Sequence, residues 1–187
     1  MKINTYIALL RGINVSGHKI IKMELLQKAL QELDVKNIST YIQSGNILFQ
    51  SEVADKGKLA HQISGVIVKH FGFDVPVMVF SPEELKKVVA DNPYAHQKIQ
   101  DAAQPYVAFL SEPPHLPLLE MLQSVPSGKD TFVLVEKVLY LFYADSAGNT
   151  KLSNAVIENK LKLKSTMRNW KTVKKLIELA DQLTTIR

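Results

Sequence analysis

Cysteine is absent from the 187 residues of this chain, which excludes several classes of chemistry at once. Disulfide frameworks, thiolate zinc sites, iron–sulfur clusters and cysteine nucleophiles all require a thiol. Long apolar runs are missing too, because the longest stretches fall far short of the roughly 20 residues that a membrane-spanning helix needs. The N-terminal apolar run is short and is followed by Arg11 without a small-residue cleavage pattern, so no signal peptide is predicted. We therefore expect a cytoplasmic protein without a membrane partner.

The sequence also contains no motif that names a reaction. The histidines show no metal-ligand spacing, so no metal site is predicted from His18, His61, His70, His96 and His115. No G-x-S-x-G motif occurs, and neither Ser16 nor Ser44 has an identifiable base. No catalytic residue and no cofactor can be assigned, and whether the chain is an enzyme stays open.

Positive charge exceeds negative charge and is concentrated in two segments. The formal net charge is +5, from 23 Lys and Arg residues and 18 Asp and Glu residues. Residues 1–23 contain four basic residues and no acidic one, and residues 151–175 contain eight basic residues and one acidic residue, Glu158. Such clusters occur both on solvated helix faces and on surfaces that bind anions.

The first 80 residues follow the order β-α-β-β-α-β. Short runs rich in β-branched and aromatic residues predict strands, and apolar residues three and four positions apart predict amphipathic helices. The predicted strands are 3–10, 40–43, 46–50 and 75–80, and the predicted helices are 22–33 and 55–71. This order is that of the ferredoxin-like, or split βαβ, arrangement.

The second half repeats the first loosely. Serine, proline and glutamate at 81–84 predict a helix that begins at Pro82. Strands are then predicted at 106–110, 131–136 and 138–143, helices at 116–123, 153–161 and 169–183, and no last strand is apparent. We therefore predict an α+β fold of two ferredoxin-like halves with duplicated topology, antiparallel-rich sheets and helices on one face. The predicted halves are residues 1–80 and residues 81–187, the second with extra helices.

Three short segments carry more polar residues and glycines than secondary structure requires. Residues 11–19 (RGINVSGHK) join the first strand to the first helix, residues 43–46 (QSGN) form a hairpin turn, and residues 165–170 (STMRNW) are predicted to open the last helix. None of the three contains Asp or Glu. Because of the strand directions in this topology, we expect the first two segments to lie at the same end of the sheet.

Together, the three segments predict a site for a small anionic ligand, phosphorylated or nucleotide-like. Glycine-exposed amides, cations and a helix N-terminus are the groups that bind phosphate and carboxylate. The predicted ligand-binding residues are Arg11, Gly12, Asn14, Gly17, Lys19, Gln43, Ser44, Asn46, Thr166, Arg168 and Asn169. The first segment is neither a Walker A loop nor a dinucleotide fingerprint. A structural explanation is also open, because long loops and hairpins need glycines to turn.

Two other functions remain compatible with the sequence. A nucleic-acid-binding module could use the basic segment 151–175, but Tyr6, Tyr41 and Phe49 do not reproduce the aromatic pattern of RNA-binding sheets. An interaction module or homodimer without a ligand is neither supported nor opposed, and the oligomeric state cannot be assigned. Carboxylate catalysis would need a group from outside the three segments, and His18 is the one proton-transfer candidate within the first.

The runs RGINVSGHK, YIQSGNILF and STMRNW, in this order and at these separations, resemble the bacterial family catalogued as domain of unknown function 1697. The resemblance covers nearly the whole chain, and the three motifs together are specific. It implies the duplicated α+β fold inferred above, and it implies no activity. It also implies that Gly45 and Trp170 are signature positions, together with the predicted ligand-binding residues.

Overall fold

The computed structural model describes residues 3–15, 17–97 and 104–185. These residues form two compact units, one comprising the chain up to Lys87 together with the residues from Lys175 onward, the other running from Val88 to Lys174. In neither unit does a described helix have the length and apolar character needed to cross a membrane.

The first seven elements form a ferredoxin-like fold with one added helix. They are β1 (Asn4–Leu10), α1 (Met23–Leu30), β2 (Lys36–Tyr41), β3 (Asn46–Ser51), α2 (Lys56–Phe71), β4 (Val77–Phe80) and α3 (Pro82–Ala90). The sheet has the order β2-β3-β1-β4, and every neighbouring pair is antiparallel. Strand β2 begins four residues earlier than the predicted 40–43, and α1 is shorter than the predicted 22–33.

The next seven elements repeat this order. They are β5 (Tyr106–Leu110), α4 (Leu116–Gln123), β6 (Thr131–Val135), β7 (Val138–Phe142), α5 (Asn154–Leu161), β8 (Ser165–Asn169) and α6 (Trp170–Thr185). Their sheet has the order β6-β7-β5-β8, again antiparallel throughout. The predicted α+β fold of two similar, ferredoxin-like halves is confirmed.

The core of the first half lies between one face of its sheet and its helices. Alternate residues of β1, namely Tyr6, Ala8 and Leu10, are at most 5% exposed and pack in one apolar cluster with Leu26 of α1 and Ile63 of α2. The intervening residues Ile7 and Leu9 are at most 1% exposed, so β1 is buried on both faces, as its unbroken apolar run predicts. The helices are therefore held by apolar burial, which leaves the loops at the sheet ends available for other roles.

The predicted start of α3 is confirmed by its cap. Ser81 Oγ accepts a hydrogen bond from the Glu84 amide at 3.3 Å, and Glu84 Oε2 accepts one from the Ser81 amide at 2.7 Å. This reciprocal pair satisfies two amides that the helix itself cannot bond.

Backbone hydrogen bonds at one end of each sheet show how closely the halves correspond. The Leu10 amide donates to the Gly45 carbonyl at 2.8 Å, and the Leu110 amide donates to the Lys137 carbonyl at 2.9 Å. The backbone amide of the residue after each leucine also donates to a backbone carbonyl just before the last strand of the same half. The N–O distance is 3.0 Å in the first half and 2.9 Å in the second. The first strands of the two halves thus end in the same backbone geometry.

The third segment, predicted to lead into a helix at 169–183, forms a last strand that was not apparent from the sequence. Residues 165–169 form β8, which pairs with β5 along its whole length, and α6 begins only at Trp170. The strand lacks an apolar pattern because its buried side chains, those of Ser165, Thr166 and Arg168, are polar or charged. Asn169, the last residue of β8, also caps α6, since its Oδ1 accepts a hydrogen bond from the Thr172 amide at 2.8 Å.

Candidate functional site

The side chain of Asn14 joins the first loop to the hairpin. Its Nδ2 donates to the Ile21 carbonyl at 3.0 Å and to the Gln43 carbonyl at 2.8 Å, and its Oδ1 accepts from the Ile21 amide at 2.8 Å. The loop and the hairpin therefore lie together at one end of the first sheet, as the strand directions predict. We call residues 11–22 and 42–46, apart from the undescribed Ser16, the loop–hairpin platform.

Gly45 is where the hairpin packs most closely on the loop. It is buried with φ +77°, and a Cβ at this position would lie 2.7 Å from Ile13 Cδ1 and 2.7 Å from Leu10 Cβ. Only glycine fits this combination of left-handed backbone and close approach. The signature glycine of the second motif is thus explained by packing.

Two other predicted ligand-binding residues, Lys19 and Asn46, form hydrogen bonds within the chain. Lys19 Nζ donates to the Asp74 carbonyl and lies 5.9 Å from the centroid of the Phe73 ring. Asn46 is fully buried, and its Nδ2 donates to the Tyr41 carbonyl at 2.8 Å and to Ser44 Oγ at 3.0 Å. The Lys19 contact joins the platform to the loop before β4, and the Asn46 contacts fix the shape of the hairpin, as a preorganised binding surface requires.

The outer surface of the platform is formed by other predicted residues. Gly12, Gly17 and the Gln43 side chain are exposed, and Arg11 is half-buried. A Cβ at Gly12 or Gly17 would meet nothing within 4 Å, although φ is +67° and +78° at these positions. The backbone at both glycines is therefore open to an approaching ligand.

Ile42 is a feature of the platform that the sequence analysis missed. Its φ is +50°, a left-handed conformation that β-branched residues rarely adopt, and its side chain is 48% exposed. The sequence predicted turn chemistry only at Ser44-Gly45. No sequence signal could have marked Ile42, because isoleucine normally indicates a strand.

The third predicted segment lies in the second unit, and its guanidinium is buried. Arg168 is 7% exposed, and its Nη1 donates to Thr166 Oγ1 at 3.0 Å and to the Met167 carbonyl at 2.8 Å. Burial lowers the pKa of Arg168 to about 10. In the register of its sheet, Arg168 takes the position that Phe80 has in the first half. The predicted share of Thr166, Arg168 and Asn169 in a common ligand site stays a prediction.

Arg168→Ala is expected to lower the free energy of unfolding by about 2 kcal/mol, because it removes buried hydrogen bonds and leaves a cavity. Lys171→Ala, which changes an exposed basic residue nearby, is expected to stay within about 0.5 kcal/mol of the parent chain. Urea denaturation of both variants measures the difference. Equal stability of the two variants would show that the Arg168 side chain has no structural role.

The basic segment 151–175 is not a uniform positive surface. Lys171 and Lys174 are exposed, whereas Arg168 is buried and Lys175 Nζ pairs with Glu178 Oε1 at 2.7 Å. Surface pairs of this kind contribute little to stability, but they reduce the positive potential available to nucleic acid.

A cleft of about 420 Å³ lies at the opposite end of the first sheet from the platform, where β1 begins. Its lining includes Asn4, Thr5, Lys56, Ser81, Glu83 and Thr184. Beside it, Lys56 Nζ pairs with Glu84 Oε1. Burial alone would raise the pKa of Glu84, but hydrogen bonds from Lys56 and Ser81 outweigh burial and hold that pKa below its usual range.

Within the described parts of both units, no group of three His, Asp or Glu side chains could hold a metal ion.

Comparisons with known proteins agree with this architecture. A family model described as Protein of unknown function (DUF1697) matches residues 3–140, which include the first two motifs and exclude the third. A solved structure, described as that of the conserved bacterial protein SP0830 from Streptococcus pneumoniae, is 22% identical, with a TM-score of 0.71. The match covers 96% of this chain and 99% of that one. A search of curated proteins gave no match.

Proposed function

The chain belongs to the family described as Protein of unknown function (DUF1697), and we propose that it binds a small anionic ligand, phosphorylated or nucleotide-like, on the loop–hairpin platform. The family description states no activity, so the proposal rests on the residues of this chain. It concerns binding, because the platform segments contain neither a carboxylate nor a cysteine, and a lone histidine, His18, is their one candidate for proton transfer.

The observation that carries the proposal is the difference between the two halves at equivalent positions. The first strands of both halves end in the same backbone hydrogen bonds. In the second half, residues 111–115 (SEPPH) then reach α4 with no glycine, lysine or arginine and with one glutamate. In the first half, residues 11–22 contain two glycines, Arg11, Lys19 and Lys22. The topology therefore does not require this composition, and a function is its best explanation.

The electrostatics of the platform favour an anion. Neither residues 11–23 nor residues 35–51 contain Asp or Glu, so both segments have a positive formal charge. Lys22 is exposed immediately before α1, and the open backbone at Gly12 and Gly17 adds amide dipoles. Oriented backbone amides and cations at one surface attract phosphate and carboxylate groups.

Titration calorimetry with inorganic diphosphate and adenosine 5′-diphosphate, each at low and high ionic strength, tests the proposal. We expect binding that weakens with salt, and a loss of affinity of about tenfold in the Arg11→Gln/Lys22→Gln double variant. The exposed pair Lys171→Gln/Lys174→Gln is the matched control and should change affinity less than about twofold. If the double variant unfolds at a lower temperature than the parent chain, the single variant Lys22→Gln, at an exposed position, replaces it in the test.

The opposite pattern would contradict the proposal. If neither anion binds, or if both double variants lose affinity equally, the platform is not an anion site. Oligonucleotides titrated in the same way test the alternative. If their affinity grows with their length and falls only in the Lys171→Gln/Lys174→Gln variant, the basic segment is the binding surface and the chain is a nucleic-acid-binding module.

A further inference from the structure

Three aliphatic side chains stand exposed on the platform. Val15 is 58% exposed, Ile20 is 59% exposed and Ile42 is 48% exposed. Each is the chain neighbour of one of the three residues joined at the Asn14 side chain, namely Asn14 itself, Ile21 and Gln43. All three therefore belong to the backbone segments that Asn14 joins, in the same loop and hairpin as the cations, and we call them the aliphatic triad.

Anchoring of the loop in the core does not require these exposed aliphatic side chains. The buried neighbours Ile13 and Ile21, each 1% exposed, already anchor the loop in the core. Ile42 has a backbone conformation that Asn or Gly would adopt more easily, and about half of its side chain is exposed. Unfavourable backbone conformations concentrate at functional sites.

The equivalent turn of the second half has polar residues instead of an isoleucine. There, β6 and β7 are joined by Glu136 and Lys137, both exposed and polar, and Glu136 also has a positive φ of +54°. A sheet-end turn in this chain can thus have left-handed geometry with a polar side chain. Isoleucine at the corresponding end of the first sheet points to an apolar contact outside the chain.

We propose that the ligand of the platform is a phosphate ester of an apolar or aromatic group, rather than inorganic phosphate or a sugar phosphate. This inference rests on the proposed anion-binding function. The phosphate contacts the cations of the platform and the open backbone at Gly12 and Gly17, and the organic group packs on the aliphatic triad. Apolar contact supplies binding free energy, and the charged group fixes the orientation, as in other mixed sites.

Affinities for inorganic phosphate, ribose 5-phosphate and phenyl phosphate test the inference on the full chain. We expect phenyl phosphate to bind the parent chain at least about tenfold more tightly than the other two probes. In the Val15→Thr/Ile20→Thr variant this advantage over inorganic phosphate should fall below about threefold, because exposed methyl groups are lost without loss of charge. Val133→Thr, at an exposed position of β6, is the matched control and should retain the full advantage.

The probes separate failure of this inference from failure of the proposed function. If all three probes bind equally, or if the phenyl phosphate advantage survives in the double variant, the aliphatic triad does not contact the ligand, and the anion site alone remains. If none of the three binds the parent chain, both the inference and the proposed function are wrong. Thermal melting of each variant confirms that the compared proteins are folded.

Discussion

Gly45→Ala is expected to lower the free energy of unfolding by about 4 kcal/mol, measured by urea denaturation. Two independent costs add at this position. A left-handed backbone costs an alanine about 1–2 kcal/mol, and the φ of Gly45 is +77°. The new Cβ would also lie 2.7 Å from Leu10 Cβ, which belongs to a buried strand and cannot move aside cheaply. Overpacking of this kind typically costs about 1–3 kcal/mol.

Gly12→Ala measures the backbone cost without the steric cost. Gly12 has a similar φ of +67°, but an added Cβ there would meet nothing within 4 Å. We therefore expect a loss of only about 1 kcal/mol, due to the backbone alone. Equal losses in the two variants would show that the hairpin does not pack on the loop as closely as the structure has it.

The architecture could be predicted because it depends on apolar periodicity. The short apolar run of β1, the helical spacing in α2 and the capping box at Ser81 each predict one kind of element, and the order of such elements along the chain is ferredoxin-like. Strand β8 could not be predicted, because its side chains are polar and its conformation follows from pairing with β5. Tertiary pairing of this kind overrides local propensity.

The candidate site could be predicted only in part, for a related reason. Polar residues in loops either bind ligands or satisfy buried backbone groups, and a single sequence does not distinguish these roles. Asn14, Lys19 and Asn46 were all predicted to contact a ligand, and the structure shows that each also donates to backbone carbonyls of the chain. Exposed Ile42, by contrast, has no polar signal and was found only from its φ and its exposure.

Asn14→Ala is expected to lower the free energy of unfolding by about 3 kcal/mol and to abolish anion binding on the platform. It removes the three hydrogen bonds that join loop and hairpin, at about 0.5–1 kcal/mol each for half-exposed groups. It also places alanine at a φ of +55°, which costs about 1 kcal/mol. Asn14→Gly lacks that backbone cost and should lose only about 2 kcal/mol. Urea denaturation and calorimetry with diphosphate measure both effects.

Asn14→Asp tests the direction of these hydrogen bonds. At neutral pH its carboxylate would face the carbonyl oxygens of Ile21 and Gln43, which lie 3.0 and 2.8 Å from Nδ2 in the parent chain. Repulsion disfavours the charged form in the folded state, so the folded pKa should rise above the unfolded value of about 3.9. Because the folded state then binds the proton more tightly, the deficit relative to the parent should shrink as pH falls from 7 through the raised pKa. A deficit that is independent of pH between 7 and 4 would mean that Nδ2 does not donate to these carbonyls, and the platform would lose the contact that joins its two segments.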